Sequence, residues 1–218
     1  MDLARFIDHT LLKPDATAAD VGRLLDEAVE YDFASVCLPP CYVKVAGLRL
    51  LGSPVHVGTV IAFPFGYTHP LARLDESRRA IADGAVELDT VLNVSWLKSG
   101  EERRVRDDLA GWVEGVRRER EGLILKVILE TALLTGEEKV LGARLAVDAG
   151  ADFVKTSTGF AKGGATVEDV ALLARTVEGR AGVKASGGIR DRATALAMVD
   201  AGAVRLGTSS GIAILSQA

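Results

Sequence analysis

Lysine is costly in an apolar strand, because its ammonium group loses hydration there. Yet three of the lysines in this sequence stand in β-like apolar runs: Lys126 in LILKVILE, Lys155 in DFVKTSTG and Lys184 in GVKASG. Free lysine, with a pKa of about 10.4, is almost wholly protonated at neutral pH and cannot attack a carbonyl. Two lysines on neighbouring strands about 5 Å apart change this. At an effective dielectric near 20 each ammonium disfavours the other by roughly 3 kcal/mol, a little over two pKa units, and partial burial pushes the same way. One lysine of the pair then becomes a nucleophile with a pKa near ~7.5, provided that the other is kept charged by a carboxylate. Asp89 and Asp8 are the candidates for that carboxylate. The chemistry indicated is imine formation, in which a protonated imine draws electrons from an adjacent bond and Asp89 moves protons, through water, as general acid and base. Thr156, Ser157 and Thr158 read as hydrogen-bonding groups rather than nucleophiles. Residue types alone leave open which lysine attacks. Asp89 taken by itself is as readily structural, and Lys126 reads as a supporting residue paired with Glu87 or Glu130.

A second pattern points to phosphate. Gly159, Gly163 and Gly164 follow the Lys155 run, Gly187 and Gly188 follow the Lys184 run, and GTSSG (207–211) brings Gly207, Ser209 and Ser210 after the last apolar run. Glycines in successive loops on one rim expose backbone N–H groups to an anion, and the serine hydroxyls add donors. Together with an imine-forming lysine, this predicts a small phosphorylated aldehyde or sugar as substrate.

Such groups need a frame that holds them on one face, and the order of elements supplies it. Strands are predicted at residues 6–12, 34–39, 55–63, 86–93, 123–130, 152–159, 182–187 and 204–209. Helical periodicity fills the intervals. Thr17 with Asp20 reads as an N-cap, with Val21, Leu24, Leu25, Ala28 and Val29 following at helical spacing. A shorter helix runs through Val43, Ala46 and Leu50, and the helix after His69 is expected to turn Leu71, Leu74 and Ile81 inward and to stop at Gly84. Val105, Leu109, Trp112, Val113 and Val116 form one stripe, Thr135 with Glu138 forms a capping box, and Thr166 caps a further helix. Strands alternating with helices require crossovers and a parallel sheet, and eight of them close a barrel. No dinucleotide fingerprint G-x-G-x-x-G favours an open sheet. The expectation is an α/β fold, a single-domain TIM (β/α)8 barrel spanning 1–218. A weak repeat supports it: five residues beyond the helix-ending glycines Gly84, Gly150, Gly179 and Gly202 stand Asp89, Lys155, Lys184 and Gly207. Equal offsets suggest equal depth near the C-terminal rim, where barrels of this kind carry their active sites.

Composition narrows the partners. A net charge of −4 and a pI near 5.5 give no bulk attraction to nucleic acid or anionic membrane. The opening MDLARFIDHT has no long apolar region and no run approaches bilayer length, so a cytoplasmic location is expected. Cys37 and Cys41 stand without a clustered partner set, and His9, His56 and His69 are scattered, so neither a metal nor a disulfide framework is expected.

IDHTLLKPDAT, VELD, FVKTSTGF with the GGAT that follows, VKASGGIR and RLGTSSG, in that order along nearly the whole chain, resemble deoxyribose-phosphate aldolase. The resemblance implies a metal-free, cofactor-free class I aldolase that interconverts 2-deoxy-D-ribose 5-phosphate with D-glyceraldehyde 3-phosphate and acetaldehyde. It implies that Lys155 forms the imine, Lys184 lowers its pKa, Asp89 transfers protons, and Asp8 supports Lys184. Phosphate contacts would fall to Gly159, Gly187, Gly188, Gly207, Ser209 and Ser210. Family members often carry a longer tail ending in tyrosine, whereas this sequence stops at AILSQA. Activity without a tail hydroxyl is expected, with weaker discrimination for the phosphate. Barrels of this type often pair through outer helices, so a homodimer or higher homo-oligomer is expected. The competing reading is a non-catalytic sugar-phosphate-binding barrel, in which Lys155 only attracts an anion.

Overall fold

A computed structural model describes residues 2–216. The last two residues of the AILSQA ending lie outside these. The strands are β1 (Ile7–Thr10), β2 (Ser35–Leu38), β3 (His56–Ile61), β4 (Glu87–Val91), β5 (Ile124–Ile128), β6 (Phe153–Lys155), β7 (Gly182–Ser186) and β8 (Arg205–Thr208). All pair in parallel in chain order, and β8 returns to β1 through Ile7↔Leu206 and Asp8↔Gly207, closing the expected barrel. The strands are shorter than the apolar runs that announce them, since those runs include residues entering and leaving the ladder. Thr156, for example, still donates to the Lys184 carbonyl at 3.1 Å although β6 ends at Lys155.

Side chains alternate between the two faces of each strand. Val36, Leu38, Leu88, Leu125, Val127, Val154, Val183 and Leu206 join the helices in one buried apolar layer. Each such side chain contributes about 1.5–3 kcal/mol on burial. The helices are α1 (Ala18–Glu30), α2 (Val43–Arg49), α3 (Pro70–Ala82), α4 (Val94–Lys98), α5 (Glu102–Glu119), α6 (Gly136–Asp148), α7 (Val167–Val177), α8 (Arg192–Asp200) and α9 (Gly211–Ser216). Thr17 and Thr135 form complete capping boxes with Asp20 and Glu138, and Thr166 caps α7. The α5 stripe is buried as its spacing implies.

The reading of α3 is corrected. Leu71 is exposed, whereas Leu74 and Ile81, half-buried, do pack against the apolar core, and the fully buried positions are Arg73, Ser77 and Ala80. The reason is a buried polar anchor. The Arg73 guanidinium donates to Asp108 on α5 at 2.8 Å and to the Gly66 carbonyl at 2.9 Å, and Trp112 donates to Ser77 at 3.0 Å. A buried guanidinium paired through both terminal nitrogens shares the inward face that apolar periodicity assigned to leucine alone, although its Nε has no partner. The short helices α4 and α9 lie in stretches to which the sequence reading assigned no helix.

Candidate active site

The barrel interior is filled with charge. Asp8 on β1, Glu87 and Asp89 on β4, Lys126 on β5, Lys155 on β6 and Lys184 on β7 are all buried, and Arg205 on β8 is nearly so. Lys155 and Lys184 are direct partners in the β6–β7 register, as expected of lysines on consecutive strands. The equal-offset reading does not extend to the other two positions. Asp89 pairs with Lys126, and Gly207 pairs with Ser186, while Arg205 takes the place opposite Lys184. Closing tilted strands into a barrel staggers their register, so equal distance from a helix end does not mean equal pairing.

Asp89 is the hub. Its Oδ2 accepts from Lys155 Nζ at 2.9 Å and from Lys184 Nζ at 2.8 Å, and its Oδ1 accepts from Lys126 Nζ at 2.7 Å. Lys126 also donates to Glu87 at 2.5 Å. Of the two partners foreseen for Lys126, Glu87 is correct and Glu130 is not. Glu130 turns instead to Thr158, accepting from its hydroxyl and, at 3.2 Å, from its backbone N–H. Asp8 pairs with Lys184 and with Arg205, and Arg205 reaches Glu87 at 3.2 Å. The contacts close a ring of alternating sign: Asp8, Lys184, Asp89, Lys126, Glu87, Arg205 and back to Asp8. Three acids and three bases balance. Among the described residues of this cluster Lys155, hung on Asp89, is the surplus cation.

The electrostatics follow from that count. Burial pushes the Lys155 ammonium toward its neutral form, Lys184 adds to the push, and Asp89 opposes it only in part, so its pKa is lowered. Burial also opposes charge on Lys184, but Asp8 and Asp89 outweigh it, and its pKa is raised. Asp89 must overcome its own burial too, and the three lysines hold it well below the usual carboxylate range. Burial, rather than the neighbouring ammonium, is therefore the larger cause at Lys155. Cys37, on β2 and unremarked as a site residue in the sequence reading, sits close to the cluster, and burial and Asp89 keep its thiol protonated by raising its pKa.

Above Lys155 opens a cavity of about 370 Å³, lined by Gly159, Gly187, Gly188, Gly207 and Ser209 along with Lys155. Gly187 and Gly188 both have left-handed backbone, φ 87° and 82°, and a Cβ on Gly187 would lie 2.9 Å from Gly164 Cα. Gly207 has a different duty from a purely anion-facing one. A Cβ there would lie 3.1 Å from Lys184 Cε and 2.9 Å from Ser186 Cβ, so its bareness makes room for the Lys184 side chain. Ser210 is not part of the lining, and its N–H donates to Thr208 Oγ1 at 2.9 Å. Two basic residues at the mouth, Lys13 and Arg190, escaped the sequence reading as site residues, although they stand in IDHTLLKP and VKASGGIR. Arg205 was missed although it stands inside the predicted strand 204–209, because its partners Asp8 and Glu87 are set only by the fold.

A family model described as DeoC/LacD family aldolase matches residues 3–217. The chain is 54% identical over 218 residues to the deoxyribose-phosphate aldolase of Brevibacillus brevis, covering 100% of this chain and 97% of that one. It is 51% identical to the deoxyribose-phosphate aldolase of Enterococcus faecalis, covering 100% and 98%. Among solved structures, deoxyribose phosphate aldolase from Aeropyrum pernix, described as tetrameric, superposes with a TM-score of 0.90 at 37% identity, covering 98% of this chain and 89% of that one. With a charged barrel of this design and matches along almost its whole length, the chain belongs to the DeoC/LacD aldolase family.

Proposed function

We propose that this protein reversibly cleaves 2-deoxy-D-ribose 5-phosphate to D-glyceraldehyde 3-phosphate and acetaldehyde through an imine on Lys155. The observation that carries the reading is the charge count. A neutral ring leaves one buried lysine over, and that lysine, at the floor of the cavity, is the one whose proton is most easily lost.

Neutral Lys155 Nζ adds to the C1 aldehyde of the open-chain sugar, and loss of water from the carbinolamine leaves a protonated imine. Removal of the C3 hydroxyl proton lets the C2–C3 bond break. Its electron pair moves to C2 and into the imine, which becomes an enamine, while C3 leaves as the aldehyde of D-glyceraldehyde 3-phosphate. Protonation at C2 and hydrolysis then release acetaldehyde and restore the amine. Asp89 Oδ2, within 2.9 Å of Lys155 Nζ and 2.8 Å of Lys184 Nζ, is placed to pass protons between the reacting nitrogen and Lys184, with water carrying them to the sugar. The cavity suits a phosphate bound by the backbone of Gly159, Gly187 and Gly188 and by Ser209, with Lys13 and Arg190 adding positive charge. Self-association and a cytoplasmic site of action belong to the same reading. The A. pernix relative is described as tetrameric, Leu48, Leu51 and Leu71 are exposed, and no helix among the described residues is long and apolar enough to cross a membrane.

The test is reductive trapping. Borohydride with acetaldehyde should add one ethyl group to the chain, located on Lys155 by peptide mapping. A chain that binds the phosphosugar but stays unmodified would instead support the non-catalytic barrel.

A further inference from the structure

None of the six ring members lines the cavity, which reaches the cluster only at Lys155, and two of them stand at the first positions of their strands. Glu87 and Arg205 lie toward the opposite, N-terminal end of the barrel interior and meet each other at 3.2 Å. Glu87 is fully buried, and Arg205 shows 11% of its side chain to solvent. We propose that Arg205 and Glu87 are positioning residues which, through the charge balance of the ring, set how readily Lys155 gives up its proton. The inference rests on Lys155 being the imine-forming lysine.

The physical basis is conservation of charge in a buried cluster. With the ring neutral, a protonated Lys155 leaves the interior at net +1, an unfavourable state that release of the proton relieves. Deleting the Arg205 charge leaves the ring at −1, so protonated Lys155 becomes its counter-ion and holds the proton. Deleting the Glu87 charge leaves the ring at +1 and drives the proton off more strongly. A unit charge on the order of 10 Å away at an effective dielectric near 20 moves a neighbour's titration by about one pH unit. The groups acting on Lys155 are Asp89 on β4, Lys184 on β7 and the protonated Cys37 thiol on β2, with Lys126 on β5 and Asp8 on β1 one contact further along the ring, all unchanged by either substitution. His56 on β3, half-exposed at the N-terminal mouth, meets Glu87 at 2.9 Å and loses this partner in any Glu87 variant.

The experiment is a charge cycle in the full chain: Arg205→Met, Glu87→Gln, the double variant and Arg205→Lys. For each, the initial rate of trapping by acetaldehyde and cyanoborohydride is followed from about pH 5 to about pH 10, with the adduct mapped. Arg205→Met should move the midpoint up by about one pH unit, a roughly tenfold slower reaction at neutral pH, and Glu87→Gln should move it down by about as much. The double variant, again neutral, should return toward the parent midpoint, and Arg205→Lys should stay there. Glu87→Gln and the double variant both lack the His56 partner, so their difference isolates Arg205. Loss of packing alone would not produce shifts of opposite sign that cancel. Midpoints that stay put, or move in the same direction in chains that still unfold cooperatively, overturn the proposal. If one single variant does not fold, the other with the double still forms a pair differing by one charge. A parent adduct on a lysine other than Lys155 is a separate failure, that of the proposed function itself.

Discussion

One buried lysine differs from its neighbours because they are already spoken for. Lys126 is shared by Glu87 and Asp89, and Lys184 by Asp8 and Asp89, whereas Lys155 has only part of one carboxylate. Replacing Lys184 by leucine removes a cation from the ring and leaves it at −1. The Lys155 pKa should then rise toward the ordinary lysine value, and the alkaline limb of activity should move up. Turnover at neutral pH should fall by about a hundredfold or more, in line with the lost neutral fraction. An unchanged pH–rate profile would sink the coupling. That Lys155 and Lys184 are a pair was legible from the sequence, because an ammonium in an apolar strand is rarely idle. Which of them holds its proton less firmly was not, because Asp8, which helps to keep Lys184 charged, stands 147 positions away from Lys155 along the chain.

At the scale of elements, the strands of the charged ring show apolar residues to the helices and charged ones to the interior. β4 does this with Leu88 in the apolar layer and Glu87 and Asp89 in the ring. β8 adds a clearance as well as a charge. In Gly207→Ala the new methyl group meets Ser186 Cβ and Lys184 Cε, so the Lys184 side chain or the β7–β8 ladder must shift. A loss of about 1–3 kcal/mol in denaturant unfolding is expected, together with a fall in turnover larger than any change in KM. An alanine variant with parent-like turnover would show that Lys184 does not depend on this gap. Helix caps, which are local, were legible in full at Thr17, Thr135 and Thr166. The inward face of α3 was not, because Arg73 faces inward only by virtue of Asp108 on another helix and the Gly66 carbonyl.

For the whole molecule, the surplus cation has a thermodynamic consequence. Lys155 has a folded pKa below its unfolded value, so between those two values the unfolded chain binds more protons and stability rises with pH. Lys155→Met should therefore make the ligand-free protein more stable near pH 6, by about 1–3 kcal/mol, and the advantage should narrow as the pH approaches the unfolded lysine value of about 10.4. Denaturant midpoints across that range check this; a variant less stable than the parent at pH 6 would contradict it. Asp8 and Asp89 act in the opposite range. Their folded pKa values are depressed, so their contribution is complete above the unfolded carboxylate value of about 3.9 and drains away as the pH falls below it.

The sequence by itself determined the barrel, the inward lysines, the glycine-bearing rim and the caps at Thr17, Thr135 and Thr166, since each depends on periodicity, on local backbone demands or on the cost of charge in an apolar run. Only the tertiary structure decided how the interior charges pair. Strand stagger places Arg205 rather than Gly207 opposite Lys184, and closure of β8 onto β1 brings Asp8 between Lys184 and Arg205. Coulomb interaction depends on distance through space, which the order of residues along the chain does not contain. With the ring closed and neutral, one lysine is left with a proton to lose.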